Sequence, residues 1–270
     1  MDEAIARPYS RPIVWLLALL GAAIAGIWLL GTPSGLLGKA DAVGYAICHR
    51  IDERSFHAHD RALPLCARCT GIYLGVITGL IVYAGRGRLR AARLPRVRVL
   101  LVMIGVGAAY GFDGLNSYLT LFEFYTPLYQ PTNTQRLLTG MTFGLAMISI
   151  VLPVFNSMVW QTPQRHAPLS SLRELVALYA IAGGVAVAVL IQVPALLIAF
   201  GLVSVAGVVL MFVLIGGAAF ITLTRRDNSF TDWRDLAVPA GVGLIFALAM
   251  IGSIDLLRYL ITGTWDGFLV

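Results

Sequence analysis

Charge is scarce in this chain: Asp, Glu, Lys and Arg make up 13% of its 270 residues, against 58% hydrophobic residues. With a mean hydropathy of +0.81, that excludes a soluble globular domain, whose composition is about 25% charged. No P-loop, dinucleotide fingerprint, HExxH or GxSxG element is present, so nucleotide-driven transport and the common hydrolase plans have no support. There is also no inverted repeat with paired broken helices, the usual mark of a secondary transporter. Cysteine and histidine are few, three and four residues. All three cysteines and three of the histidines fall between residues 48 and 73.

What the chain does have is long apolar runs. A bilayer core of about 30 Å needs about 20 apolar helical residues per crossing. Seven such runs begin near Ile13, Thr70, Val97, Arg136, Leu172, Ala195 and Leu236. The predicted fold is an all-α, polytopic membrane bundle of about seven transmembrane helices. The run from Ile13 to Leu30 is longer than a signal core and lacks a clear cleavage pattern, so it reads as a retained span. Gln192-Val193-Pro194 marks a tight turn between the fifth and sixth spans. Three regions are expected: 1–39 with the first span, 40–160 around the Cys/His segment, and 161–270 with three further spans.

Orientation follows from arginine, which cytoplasmic loops retain. Arg86, Arg88, Arg90, Arg93, Arg96 and Arg98 share one loop without an acid, and this places that loop inside. The amino terminus with Arg7 and Arg11, and Arg165, Arg173, Arg225, Arg226 and Arg234, then fall inside as well. The loop from Gly31 to Cys69 falls outside, although it carries Lys39, Arg50, Arg54, Arg61 and Arg68 beside Asp41, Asp52, Glu53 and Asp60. The net charge of +6 reads as a cytoplasmic rim facing anionic lipid rather than as a nucleic-acid surface.

The same alternation brings a second polar segment to the face that carries the cysteines. Asp113, Asn116, Glu123, Asn133 and Arg136 lie around it, and Asp255 and Arg258 approach the same level from the last span. Charges at membrane depth mark a site or a structural ion pair. One outer cavity would gather them, and Asp113, Asn116 and Arg136 read equally as a substrate-binding group or as a buried Asp–Arg pair locking the third span to the fourth.

Cys66-x-x-Cys69 with Cys48 and a histidine offers the sulfur and imidazole ligands of tetrahedral zinc. His49 is the first candidate for the fourth ligand, but its adjacency to Cys48 makes joint ligation awkward, so His57 and His59 stand as replacements. An open metal position would acidify a bound water, with Glu53 as the nearest candidate base and Asp113 and Arg136 as further catalytic candidates. A thiol redox reading is also open: Cys66 and Cys69 sit at a helix start, Arg68 and His49 favour a thiolate, and Cys48 supplies a third thiol. The plain alternative is a structural cross-link or three buried thiols in a non-enzymatic scaffold. Arg68, Thr70 and Asn116 are candidates for binding a small molecule or lipid, Thr70 through the helix start. Gly71, Gly75 and Gly79 form a strip for close helix approach.

Taken together, Cys48-His49-Arg50, Glu53-Arg54-Ser55-Phe56, Pro64-Leu65-Cys66-Ala67-Arg68-Cys69-Thr70-Gly71-Ile72-Tyr73-Leu74-Gly75, Asp113-Gly114 and Arg136-Leu137-Leu138-Thr139-Gly140 resemble a family of prokaryotic membrane proteins. That family is grouped as a domain of unknown function by its Cys-His and Cys-x-Arg-Cys-Thr-Gly-x-Tyr motifs. The resemblance covers about residues 40 to 150 and implies a membrane location and a site, but no reaction. The later spans look like an extension.

Overall fold

The computed structural model describes residues 9–122 and 124–266; Arg7 and Glu123, invoked above, lie outside the described residues. Eight helices follow one another: α1 (Arg11–Gly31), α2 (Gly35–Ile47), α3 (Ala67–Gly85), α4 (Val97–Leu119), α5 (Asn133–Val159), α6 (Leu172–Leu190), α7 (Pro194–Leu223) and α8 (Ala237–Thr262). All but α2 are long and apolar enough to cross a membrane, so the expected seven-span helical bundle holds. A two-stranded hairpin, β1 (His57–Ala58) with β2 (Arg61–Ala62), lies between α2 and α3.

Local chemistry sets the boundaries. Thr132 starts α5 with a reciprocal capping box to Gln135, and the Ser171 hydroxyl accepts from the Glu174 N–H at the head of α6, each satisfying amides a helix start leaves unpaired. Pro194 opens α7 after Gln192 turns the chain with φ +57°. The tight turn read at Gln192-Val193-Pro194 is therefore present.

The segment from Gly31 to Cys69, read as a loop, contains α2 instead. At 13 residues this helix is only about 20 Å long, and Lys39 and Asp41 interrupt its apolar run. It therefore carries no spanning signal. Ala40, Ala42, Val43, Gly44 and Tyr45 are buried against α7, α8 and the approach to α3. Gly44 is required there, because a Cβ would lie 1.9 Å from the Pro64 carbonyl oxygen.

The centre of the bundle is the contact between α3 and α5. A Cβ at Gly71 or Gly75 would fall 2.3 Å from the carbonyl oxygen of Leu137 or Met141; one at Gly140 or Gly144 would fall 2.3 Å from that of Arg68 or 1.9 Å from that of Ile72. Both helices thus present glycine, and their backbones touch. In lipid, where burial of apolar surface drives nothing between helices, such close van der Waals packing is the main source of association. Buried Leu74, Met141, Leu145 and Ile148 extend it, and Tyr83 shares a buried hydrogen bond with Ser149 at 2.5 Å. α7 packs on α3 and α8, whereas α1 rests on α8 and has no buried residue.

The two ends of the bundle differ. At one, the arginine loop is a folded cap: Arg88 donates to Glu174 (2.9 Å) and to the Pro168 carbonyl, and Arg90 lies 3.9 Å over the Trp160 ring. Trp160 is 1% exposed because Arg90, Trp233 and the Asn156 amide enclose it. At the other end lie the cysteines, the tips of α4 and α5, and the end of α8.

Replacing Gly144 by Leu should destabilise the protein by roughly 1–3 kcal/mol or more, since backbone rather than a flexible side chain blocks the space. Gly107→Ala, with nothing within 4 Å of the added Cβ, should change little. Thermal unfolding of the detergent-purified variants, followed by loss of monodisperse protein, checks both.

Candidate metal centre

Two chain segments deliver the three cysteines. Cys48 ends α2, its N–H bonded to the Gly44 carbonyl at 2.8 Å. Cys66 is the extended residue just before α3, and Cys69 sits in the first turn of that helix. A spacing of three at a helix start sets both sulfurs on one side. The three Sγ atoms all lie within 4.8 Å of one another, and the Cys66 N–H donates to the Cys48 sulfur at 3.3 Å. All three thiols are free, with Cys48 and Cys66 buried.

These contacts polarise the thiols. Hydrogen bonds from Cys66 and then Cys69 hold the Cys48 thiol well below its ordinary value, burial opposes them, and His49 adds to the lowering. Donating to Cys48 pushes Cys66 up to about 12, with burial acting in the same direction. The first proton to leave the cluster is therefore that of Cys48.

The histidines stand apart. His49 Nδ1 lies 3.7 Å from the Cys48 sulfur, but among the described residues the mutually close set of ligand atoms consists of the three sulfurs alone. His57 pairs with Asp52 at 2.9 Å, and exposed His59 occupies the hairpin tip with φ +55°. Glu53 is exposed, and its backbone carbonyl accepts from Asn133 at 3.1 Å.

Beside the sulfurs lies a polar network along α4. Asp113 pairs with Arg68 at 2.5 Å and also accepts from Tyr129 (2.7 Å) and Thr139 (3.2 Å). The expected partner, Arg136, goes elsewhere: it donates to Ser117 Oγ at 3.3 and 3.2 Å and to Asn133 at 2.9 Å. The ion pair thus locks α3 to α4, while Arg136 ties α5 to α4 through neutral acceptors. Asn116 holds the 125–129 loop, accepting from Tyr125 and the Leu128 N–H and donating to the Tyr129 carbonyl, each at 3.0 Å. Burial and the Asp113 bond push the Tyr129 phenol up to about 12, so it stays a donor. Thr70, proposed to face a ligand, is fully buried and donates to the Leu65 carbonyl at 3.1 Å.

The last span reaches this end as expected, yet Asp255 and Arg258 take separate partners. Arg258 donates to the carbonyls of Tyr45 (2.5 Å) and Cys48 (2.8 Å), which fixes the backbone of the first cysteine. Asp255 accepts from the Trp28 indole at 3.1 Å and lines a cavity of about 500 Å³ between α1 and α8. That cavity is not lined by Asp113 or Arg136, so it does not gather the polar residues into one space. Ser117 and Tyr129 escaped the sequence reading, and Thr139 entered it only within the motif of residues 136–140. Ser117 had a signal, standing one helical turn beyond Asp113.

Residues 48–150 match a family described as "Predicted membrane protein (DUF2085)". An uncharacterized protein of Methanocaldococcus jannaschii is 30% identical over 120 residues, which cover 44% of this chain and 70% of the relative. An uncharacterized protein of Methanothermobacter thermautotrophicus is 34% identical over 110 residues, 39% of this chain and 86% of the relative. No solved structure matches.

Asp113→Asn should leave the Arg68 guanidinium without its buried counter-charge and cost about 3 kcal/mol of stability. Glu174→Gln, which breaks the more exposed pair with Arg88, should cost less than about 1 kcal/mol. Paired thermal melts at low and high salt would give the contrast.

Proposed function

The chain belongs to this family of predicted membrane proteins, and we propose that its Cys48, Cys66 and Cys69 hold a zinc ion at the non-cytoplasmic face, beside the pocket of Arg68, Asp113, Asn116 and Arg136. The observation that supports the reading is the convergence of three sulfurs within 4.8 Å from two separate segments. A disulfide needs two sulfurs. A tetrahedral thiolate site with Zn–S bonds of about 2.3 Å wants its sulfurs roughly 3.8 Å apart, close to what the fold already supplies. The lowered Cys48 thiol suits a metal ligand, which binds deprotonated.

Three protein ligands leave a fourth position for His49, a water or a substrate atom, the arrangement of zinc sites that do chemistry rather than only brace a fold. Zinc bound there would supply Lewis acidity. The outward placement rests on the six arginines of residues 86–98, which cap the end of the bundle opposite the cysteines. A second reading, thiol exchange with Cys48 attacking a Cys66–Cys69 disulfide, draws on the same depressed thiol.

Elemental analysis of purified protein should find about one zinc per chain, lost in Cys66→Ser and released as acid protonates the thiolates. Metal-free protein with a reducible bond between Cys66 and Cys69 would replace the metal reading by thiol exchange. For orientation, a membrane-impermeant maleimide applied to intact cells should label Asp60→Cys at the hairpin tip and not Arg93→Cys; the reverse pattern would place the cysteines inside.

A further inference from the structure

Three guanidinium groups meet at the end of α4 with one carboxylate among them. Asp113, Ser117 and Thr120 follow one another at the fourth and seventh positions, so they share a face of the helix. Each anchors one arginine from a different element. Arg68 of α3 takes Asp113 at 2.5 Å, Arg136 of α5 takes Ser117, and Arg54, from the turn before the hairpin, takes Thr120 Oγ1 at 3.1 Å. Arg136 feels the positive charge of both Arg54 and Arg68, and Arg54 feels that of Arg68.

A guanidinium keeps its proton in proteins, so this repulsion is not relieved by titration. Arg136 is 7% exposed and the Arg68 side chain 15%. Among the described residues, Asp113 is the acid that forms an ion pair with any of the three; exposed Glu53 only attracts Arg54 at longer range. The carbonyl end of α4 offsets a further part. Positive charge remains in excess even if the cysteines bind a divalent ion as three thiolates, a unit with one net negative charge. Donors also remain: Arg54 spends a single N–H on Thr120.

Buried positive charge of this kind calls for a compact anion with several acceptor oxygens. The place is specific, because Arg68 lies between Cys66 and Cys69 in the chain and its guanidinium shares one face of α4 with those of Arg54 and Arg136. We propose that Arg54, Arg68 and Arg136 form a receptor for a phosphate-class oxyanion, held beside the three cysteines where one of its oxygens can take the exchangeable position on the metal. The delivery to metal rests on the zinc reading above; the anion binding itself does not. The same chemistry is offered by free phosphate and by the head group of an anionic phospholipid.

Inorganic phosphate titrated calorimetrically into detergent-purified protein tests the free anion. Native mass spectrometry of protein released from phosphatidic acid/phosphatidylcholine nanodiscs tests the head group. At least one probe should bind near one equivalent, and Arg54→Gln and Arg136→Gln should each weaken it by about tenfold or more, the loss of one charge-assisted contact. Arg54→Lys should recover part of the affinity. Arg61→Gln removes a charge from the same segment but pairs elsewhere, with Asp41, and should bind as the parent does. Zinc measured on the same samples separates the two ideas: unchanged zinc with lost anion binding supports the receptor, and zinc-free protein that still binds the anion retires only the metal. Failure of both probes to bind the parent, or equal binding by Arg54→Gln, a partly exposed position whose loss the fold should tolerate, overturns the receptor.

Discussion

The backbone contact between α3 and α5 is the constraint on which the rest depends. Gly140 abuts the Arg68 carbonyl and Gly71 abuts that of Leu137, so the tightest approach in the bundle lies directly under the first turn of α3. That turn carries Cys69, follows Cys66, and holds Arg68 itself. A bulkier residue in the contact would move the thiols and the guanidinium together. In a bilayer, where interhelical order comes from close packing, rigidity of the site and closeness of these two helices are one property.

A helix turns about 100° per residue, and the consequence for the Cys-x-Arg-Cys turn is a division of labour. Cys69 turns toward Cys48 and Cys66, whereas Arg68, about 100° around the helix from Cys69, reaches Asp113 of α4. One rigid turn thus joins the sulfur cluster to the cationic cluster next to it. Neither could shift relative to the other without unwinding the helix start. The Asp113 carboxylate, fixed by Arg68, Tyr129 and Thr139 at once, holds the cationic side in register.

The apolar runs made the bundle legible because span length is set by the bilayer and leaves a plain mark in composition. The Cys-x-x-Cys spacing made the sulfur pair legible for the same kind of reason, since helix geometry fixes what three residues apart means. Partner choice between helices was not legible. Whether Asp113 meets Arg68 or Arg136 depends on how each helix is rotated, and both arginines satisfy alternation equally well. α2 was hidden because a short helix leaning on other helices needs neither the length nor the unbroken hydropathy of a span.

The family match covers residues 48–150, and every member of both clusters lies inside it: Cys48, Cys66, Cys69, Arg54, Arg68, Asp113 and Arg136. What α8 adds is Arg258, which grips the carbonyls of Tyr45 and Cys48 and stacks 4.0 Å over the Tyr45 ring. Cys48 is the one sulfur that comes from outside the turn of Cys66 and Cys69, and its position relative to the other two is set by the end of α2. The helix beyond the matched region therefore acts on the sulfur that α2 supplies. It adds a fourth cation near the sulfurs, whose Nη1 donates to backbone oxygens. The same physical task, keeping three thiols converged where lipid offers them no hydrogen bonds, is divided here between a glycine contact inside the matched region and an arginine clamp outside it.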